Sequence, residues 1–369
     1  MFEKLVAAQD LRVESHRCIR ARYPRGECRV CADICPVQAV DVQGDRVILR
    51  ENCAGCEACL VACPTGVFSC SSVRERKRRT LLQQQAAGRP SVRFTCAMDL
   101  QKNGEGVQVL PCLAGLPPSF LVAPFVWGSG RVEIKRIDCR ECPLEPAMAQ
   151  YRQTLQQVCQ LLSRFPDWGG EIVEVESFVK FAERESRPVV TEGMGRREFF
   201  GLFRRRTMET ALNLFPDTVG EARKVRWEGK GDPRRLFLLT LLAQLGTVRE
   251  GPIPGGILPT LDLKISENCV GCNVCETLCP TGALRREEQE DSVRLYLTPS
   301  GCVGCRICGE ACLPKAITFS EQISLASWLQ RKERLLAEVS ARYCSVCGEP
   351  FIGIPGKTCS RCIGSLKSG

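Results

Sequence analysis

The sequence predicts an α+β multidomain protein built on repeated metal-binding cysteine units, with a small α/β domain and a helical segment between them and a cysteine ribbon at the end. Three observations carry this. A chain of 369 residues, 44% hydrophobic and 25% charged, is long enough for several folded domains. Twenty-six cysteines stand against a single histidine, His16. These cysteines fall in spaced runs, and four similar segments form two copies of one paired unit.

The first pair is CRVCADICPVQAV from Cys28 and CAGCEACLVACPTGVF from Cys53, within residues 1–82. The second is CVGCNVCETLCPTGAL from Cys269 and CVGCRICGEACLPKAI from Cys302, within residues 259–320. The spacing C-x2-C-x2-C-x3-C-P resembles the bacterial-type two-cluster [4Fe-4S] ferredoxins, a polyferredoxin arrangement when the unit recurs. The resemblance implies two ferredoxin-like dicluster units with four [4Fe-4S] clusters. It also implies crossed ligation, in which three cysteines of a run hold one cluster and the fourth reaches the other. In the second unit the implied sets are Cys269, Cys272, Cys275 and Cys312, and Cys302, Cys305, Cys308 and Cys279.

The first unit departs from this pattern, because Arg25 stands where its first ligand should be. Cys18, reached through the loop IRARYPRGE, is the expected substitute. The sets are then Cys18, Cys28, Cys31 and Cys63, and Cys53, Cys56, Cys59 and Cys35. The alternative is that Cys18 is a buried free thiol and no ligand, in which case a three-iron cluster is open to the first site. A second departure is CLP at Cys312, where the proline comes one residue late, as Pro314, with no expected effect on ligation. AVDVQGDRVIL reads as a hairpin around Gly44, and SVRLYLT as a strand with Val293, Leu295 and Leu297 on one face.

Residues 90–165 read as a small parallel α/β layer. The strand-like runs VRFTC, VQVLPC and RVEIKRIDC each end in a cysteine and alternate with helix-like segments. Cys96, Cys112, Cys139 and Cys142 should gather at the carboxyl ends of the strands, where open α/β sheets place their sites. In order and layout this stretch resembles the iron-sulfur delta subunit of methyl-viologen-reducing hydrogenase, found with heterodisulfide reductase. The resemblance implies one [2Fe-2S] cluster, with [4Fe-4S] as the alternative. The chain departs from it at Ala97, Met98 and Asp99, where the family carries another cysteine.

Residues 166–258 read as mainly helical: RRLFLLTLLAQLG is apolar on most faces, GMGRREFFGLFRRR reads as a basic amphipathic helix, and GPIPGGILPT reads as a linker. An amphipathic helix is expected over 321–343, with Leu325, Trp328, Leu329, Leu336 and Val339 on one stripe. Residues 344–369 place Cys344, Cys347, Cys359 and Cys362 in two C-x2-C knuckles, a set that suits one structural Zn2+, or a rubredoxin-like iron. Cys70 and Cys159 remain, both expected in the core, Cys159 on a packed helix face with Tyr151, Leu155, Val158 and Leu162.

Secreted disulfide scaffolds reach such cysteine densities in much shorter chains and without these runs. The start, MFEKLVAAQDLRVESHRC, has no apolar signal core, and no apolar run approaches the roughly 18 residues of a membrane span. The sequence is therefore read as cytoplasmic and without a membrane span. The formal charge of +9 counts thiols as neutral. Each four-thiolate site carries about −2, so six of them offset the basicity and weaken any nucleic-acid reading. The run RERKRR at 74–79 is either a solvated face or a dock for an acidic partner.

No G-x-G-x-x-G follows a strand, and no P-loop or G-x-S-x-G is present, so no catalytic residue is assigned. His16 is expected at the surface or beside the cluster of Cys18. The resemblances imply an electron-transfer subunit whose partners are a flavin-containing heterodisulfide-reductase-like protein, a hydrogenase or a formate dehydrogenase. The alternative is a structural or nucleic-acid-binding protein with clusters and zinc as folding staples.

Overall fold

A computed structural model describes residues 11–99, 106–178, 232–254, 259–351, 358–359 and 362. The basic segment around GMGRREFFGLFRRR lies outside these residues. The chain begins with β1 (Arg12–Val13), α1 (Ile19–Arg22), α2 (Val30–Asp33), β2 (Val40–Gln43), β3 (Arg46–Leu49), α3 (Ala58–Ala62) and β4 (Phe68–Ser69). β1 pairs antiparallel with β4, and β2 with β3. The β2–β3 hairpin turns at Gly44, whose φ of +54° is a left-handed conformation that glycine adopts without strain. Helices of four or five residues cannot hold themselves in water. Here they pack on a core in which Val40, Val47, Leu60, Val67 and Phe68 surround the cysteines.

α4 (Ser72–Gly88) follows, with the Ser71 hydroxyl accepting from the Arg74 amide, a cap contributing about 1 kcal/mol. The basic run on this helix is not simply a solvated face. Arg74 and Arg78 turn inward onto Glu57, while Arg79 bonds Glu75 and lies over the Phe237 ring.

The central layer comprises β5 (Ser91–Cys96), β6 (Val107–Leu110), α5 (Pro118–Val126), β7 (Arg131–Lys135), α6 (Met148–Leu162) and β8 (Glu171–Val175). All four strands are parallel in the order β6-β5-β7-β8. Parallel sheets need apolar strands and covering helices. Val92, Phe94, Val132 and Ile134 are buried accordingly, in one core with residues of α4, α5 and α6. β8 lies beyond residue 165, within the segment expected to be helical, because the sheet edge at β7 offers it a ladder. Cys159 is exposed, which corrects its placement on the packed face: α6 buries Tyr151, Thr154, Val158, Leu161 and Leu162 instead.

α7 (Pro233–Leu242) starts at Asp232, whose carboxylate accepts from the Arg234 amide, with Pro233 at the first helical position. Its Leu238, Leu239, Leu241 and Leu242 join the central core, so this apolar helix is covered by its own chain. β9 (Pro252–Pro254) makes part of the expected linker a strand.

The second unit contains β10 (Asp262–Ile265), α8 (Val274–Leu278), β11 (Leu284–Glu288), β12 (Ser292–Leu297), α9 (Ile307–Glu310) and β13 (Ile317–Ser320). β10 pairs with β13 and β11 with β12, all antiparallel. β12 buries Val293, Leu295 and Leu297.

Beyond it, the amphipathic helix expected over 321–343 is not formed. The segment divides into β14 (Gln322–Ser324), α10 (Leu325–Gln330) and β15 (Arg334–Ser340). β14 pairs with β9, and β15 pairs with β12, setting Val339 opposite Val293 and Ala337 opposite Leu295. Arg331, at φ +55°, ends the helix, and the open edge of β12 then wins the remaining apolar residues. Trp328 is fully buried and packs on its own chain. The chain closes with β16 (Arg342–Tyr343) paired to β17 (Pro350–Phe351).

Candidate metal centres

The two ferredoxin-like units use one local device at each run. Three residues after the fourth cysteine, the backbone turns left-handed: Gln38 (φ 51°), Gly66 (71°), Gly282 (69°) and Lys315 (52°). That turn aims the next amide back at the sulfur. Ala39 N–H donates to Cys35 Sγ (3.2 Å), Val67 N–H to Cys63 Sγ (3.4 Å) and Ala316 N–H to Cys312 Sγ (3.3 Å). The late Pro314 leaves this turn intact. Thr65 and Thr281 place hydroxyls 3.6 Å from Cys63 Sγ and Cys279 Sγ. In three runs a left-handed glycine, Gly55, Gly271 or Gly304, lets its own amide bond the cysteine two residues earlier.

Every shifted thiol of the four runs is pushed upward, first by burial and further by neighbouring thiols, and the neighbours reveal the grouping. Cys31 rises to about 12, with Cys63, Cys28 and Cys18 adding to the effect of burial. Cys56 rises to about 11, with Cys35 and Cys53 adding. Cys275 rises to about 12 beside Cys272 and Cys269, and Cys269 is raised in turn by Cys272 and Cys312. Cys305 rises to about 12 beside Cys279 and Cys302.

The structure thus gathers Cys18 with Cys28, Cys31 and Cys63, and Cys35 with Cys53, Cys56 and Cys59. It likewise gathers Cys312 with Cys269, Cys272 and Cys275, and Cys279 with Cys302, Cys305 and Cys308. In each unit the third cysteines of the two runs meet between the sites, Cys59 feeling Cys31 and Cys308 feeling Cys275. Crowded thiols with amides aimed at their sulfurs form a donor set suited to a cationic iron core, which removes the mutual repulsion and needs thiolates. His16 lies largely exposed beside Glu14.

Cys96, Cys112, Cys139 and Cys142 line one small cavity at the carboxyl ends of β5, β6 and β7, walled by Met98, Pro111, Leu113, Ile137, Leu144 and Met148. Burial raises Cys112 to about 12, and Cys56, Cys96 and Cys142 add to it. Asp99 is buried in an ion pair with Lys135 (2.9 Å) and accepts from the Thr95 hydroxyl (2.9 Å), while Met98 is apolar wall. These roles occupy the stretch in which the resembling family carries another cysteine.

At the end of the chain the sulfurs of Cys344, Cys347, Cys359 and Cys362 all lie within 4.8 Å of one another. The Cys359 amide donates to Cys344 Sγ (3.2 Å) and holds that thiol down at about 6, so it ionises readily as a metal ligand. Cys70 sits after β4, half-buried, with its thiol near the Glu75 carboxylate (3.5 Å).

Glu57 was not legible as a site residue. It lies between Cys56 and Cys59 at φ +64°, 1% exposed, with Arg78 bidentate on its carboxylate (2.7 and 3.1 Å) and Arg74 at 2.9 Å. The only available signal was a lone acidic residue inside a cysteine run followed by a basic helix.

The 4Fe-4S dicluster domain family matches residues 268–317. A ferredoxin of Methanothermococcus thermolithotrophicus is 37% identical over 45 residues, covering 12% of this chain and 75% of that protein. The chain belongs to the ferredoxin family. An uncharacterised ferredoxin of Methanocaldococcus jannaschii is 36% identical over 42 residues, which is 11% of this chain and 68% of the relative. Hydrogenase-4 component A of Escherichia coli (strain K12) is 37% identical over 59 residues, 16% of this chain and 29% of that one. The chain spans less than a third of the length of the Escherichia coli relatives it matches. The second unit is a ferredoxin-type electron-transfer module with two [4Fe-4S] clusters. Among the described residues no helix is long and apolar enough to cross a membrane.

Proposed function

We propose that this ferredoxin-family chain is an electron-transfer subunit relaying single electrons between catalytic subunits of a multisubunit oxidoreductase. The observation that carries the reading is the crossed gathering of four thiol sets in two units, with a fifth set at the sheet ends. On this reading the four sets of the two units hold four [4Fe-4S] clusters, and Cys96, Cys112, Cys139 and Cys142 hold a [2Fe-2S] cluster or, failing that, a [4Fe-4S]. Cys344, Cys347, Cys359 and Cys362 hold one structural Zn2+.

A bound cluster takes up and releases one electron, while the protein sets its spacing, potential and docking. The chain's own part is to bury the sulfurs, aim amides at them and exclude water. No residue is assigned a catalytic role. The hydrogenase component among the relatives supports a hydrogenase as partner; a formate dehydrogenase or a heterodisulfide-reductase-like flavin protein is proposed beside it from the resemblance of the sequence alone. Reliance on free thiol ligands supports a reducing, cytoplasmic setting. The inward turn of Arg74 and Arg78 onto Glu57 and the pairing of Arg79 with Glu75 take basic charge away from any nucleic-acid surface.

Metal analysis with reductive titration tests this. The expected content is about 18 iron atoms and one zinc per chain, with the iron reducible by dithionite. Iron of about eight atoms per chain, or clusters silent to reduction, overturns it.

A further inference from the structure

The central four-cysteine site stands between the two ferredoxin units in the sequence, but two close contacts place it elsewhere in space. The first joins it to the N-terminal unit. The turn Leu113–Gly115, which follows Cys112, lies directly on the Cys56–Glu57 backbone: a Cβ built on Gly115 would sit 2.8 Å from the Cys56 carbonyl oxygen and 2.8 Å from Glu57 Cβ. Ala54, Cys56 and Ala58 share one apolar core with Cys96, Cys112, Leu113 and Ala114. Only glycine allows this approach, and Arg74 and Arg78 clamp Glu57 from the other side.

The second contact joins the two units to each other through adjacent arginines at the start of α7. Arg234 donates to the carbonyls of Leu60 (2.6 Å) and Phe68 (3.1 Å), on either side of Cys63. Arg235 donates to the carbonyls of Cys302 (2.7 Å), Ser300 (2.9 Å) and Pro259 (3.2 Å), and its guanidinium lies 5.2 Å from the centre of the buried Trp328 ring. Beside the Cys18 loop, Arg22 reaches the Thr277 carbonyl (3.5 Å), two residues before Cys279. The sites of Cys63 and of Cys302 and Cys279 therefore face each other across the arginine pair.

We propose that the five thiol sets are strung in a single spatial order that differs from their sequence order. It runs from Cys269/272/275/312 to Cys279/302/305/308, across Arg234–Arg235 to Cys18/28/31/63, then to Cys35/53/56/59, and across Gly115 to Cys96/112/139/142 at the far end. This rests on the electron-transfer reading above. Among the cysteines of the five sets only Cys272 is exposed; those of the middle sets are buried, as Cys18, Cys31, Cys56, Cys59 and Cys63 are, or half-buried. At one end Cys272 is exposed and Leu313, next to Cys312, is 89% exposed; at the other, Cys139 and Cys142 flank the exposed Arg140 and Glu141. External carriers would thus meet the chain at the Cys272 end and at the Cys139 end. Arg234 is paired with Asp232 (3.1 Å), whereas Arg235 bonds carbonyls and brings positive charge to the joint between units, which two thiolate-ligated sites facing each other favour.

Magnetic coupling between neighbouring reduced clusters tests the order in the full-length loaded protein. The central signal is identified by its loss in Cys112→Ala. Its broadening by a neighbour should be lost in Cys53→Ala and unchanged in Cys305→Ala. The reverse pattern, relief by Cys305→Ala alone, overturns the order. Two variants that leave every ligand in place guard against misfolding. Gly115→Val should weaken coupling at the central site only, and Arg235→Gln should weaken coupling between the two units while leaving the central signal as it was. If Arg235→Gln changes the central signal and spares the coupling between units, the order is likewise overturned. Absence of reducible iron would instead defeat the electron-transfer reading, so the two failures are separable.

Discussion

The two ferredoxin-like units share their left-handed turns and antiparallel strands, yet one equivalent position separates them sharply. Between the second and third cysteines of the later run, the N-terminal unit has Glu57 and the C-terminal unit has Arg306, both left-handed (φ 64° and 61°). Glu57 is buried and held by two arginines, whereas Arg306 is exposed and pairs with the exposed Glu321 at 3.1 Å. The backbone is fixed by the thiol set; the side chain is free to serve whatever lies against that loop. In the N-terminal unit the central domain lies there, and in the C-terminal unit solvent does. A ferredoxin unit thus behaves as a rigid cassette whose surroundings specialise it.

Ligand supply offers the hardest test of the comparison. Cys18→Ala should lower iron by about one atom, for a three-iron cluster, to about four, for a lost site, measured by metal analysis and EPR. Adding Arg25→Cys to that variant should restore the iron, since it recreates the regular spacing present in the second unit. Unchanged iron in Cys18→Ala would remove the asymmetry from the comparison.

Next comes the equivalent pair. Glu57→Gln leaves Arg74 and Arg78 facing a neutral group in a buried site and should destabilise the fold by about 3–5 kcal/mol in denaturant unfolding. Arg306→Gln breaks only an exposed pair and should cost under about 1 kcal/mol. Equal effects would mean that burial is not what distinguishes the loops.

The smallest effect should be the same in both units. Thr65→Val and Thr281→Val each remove a hydroxyl beside a sulfur, and each should lower the reduction potential of its cluster slightly, read by redox titration, because hydrogen bonds to sulfur favour the reduced, more negative state. Unequal shifts would show that the surroundings reach further into the cassette than the backbone indicates.

Much of this was legible in the residues. The hairpin at Gly44, the strand at Val293–Leu297 and the parallel layer with Cys96, Cys112, Cys139 and Cys142 at its strand ends follow from local periodicity and turn chemistry. The helix expected over 321–343 failed because Leu336 and Val339 fit a helical stripe and a strand equally well, and the open edge of β12 decided between them. Cys159 failed because it borders the buried face of α6 without being on it. The inward Arg74 and Arg78 were hidden because a basic run looks the same whether it meets water or a buried carboxylate.

By itself the sequence determined the local core of each run: spacing brings three cysteines together through turns a few residues long, so short-range geometry suffices there, whereas the crossed fourth cysteine of each set and the four cysteines of the central cavity are brought in from other segments by the fold. Only the tertiary structure decided which sites are neighbours. That depends on contacts such as Gly115 on Cys56 and Arg234–Arg235 on Leu60, Phe68 and Cys302, made between residues far apart in the chain, whose pairing local pattern cannot encode.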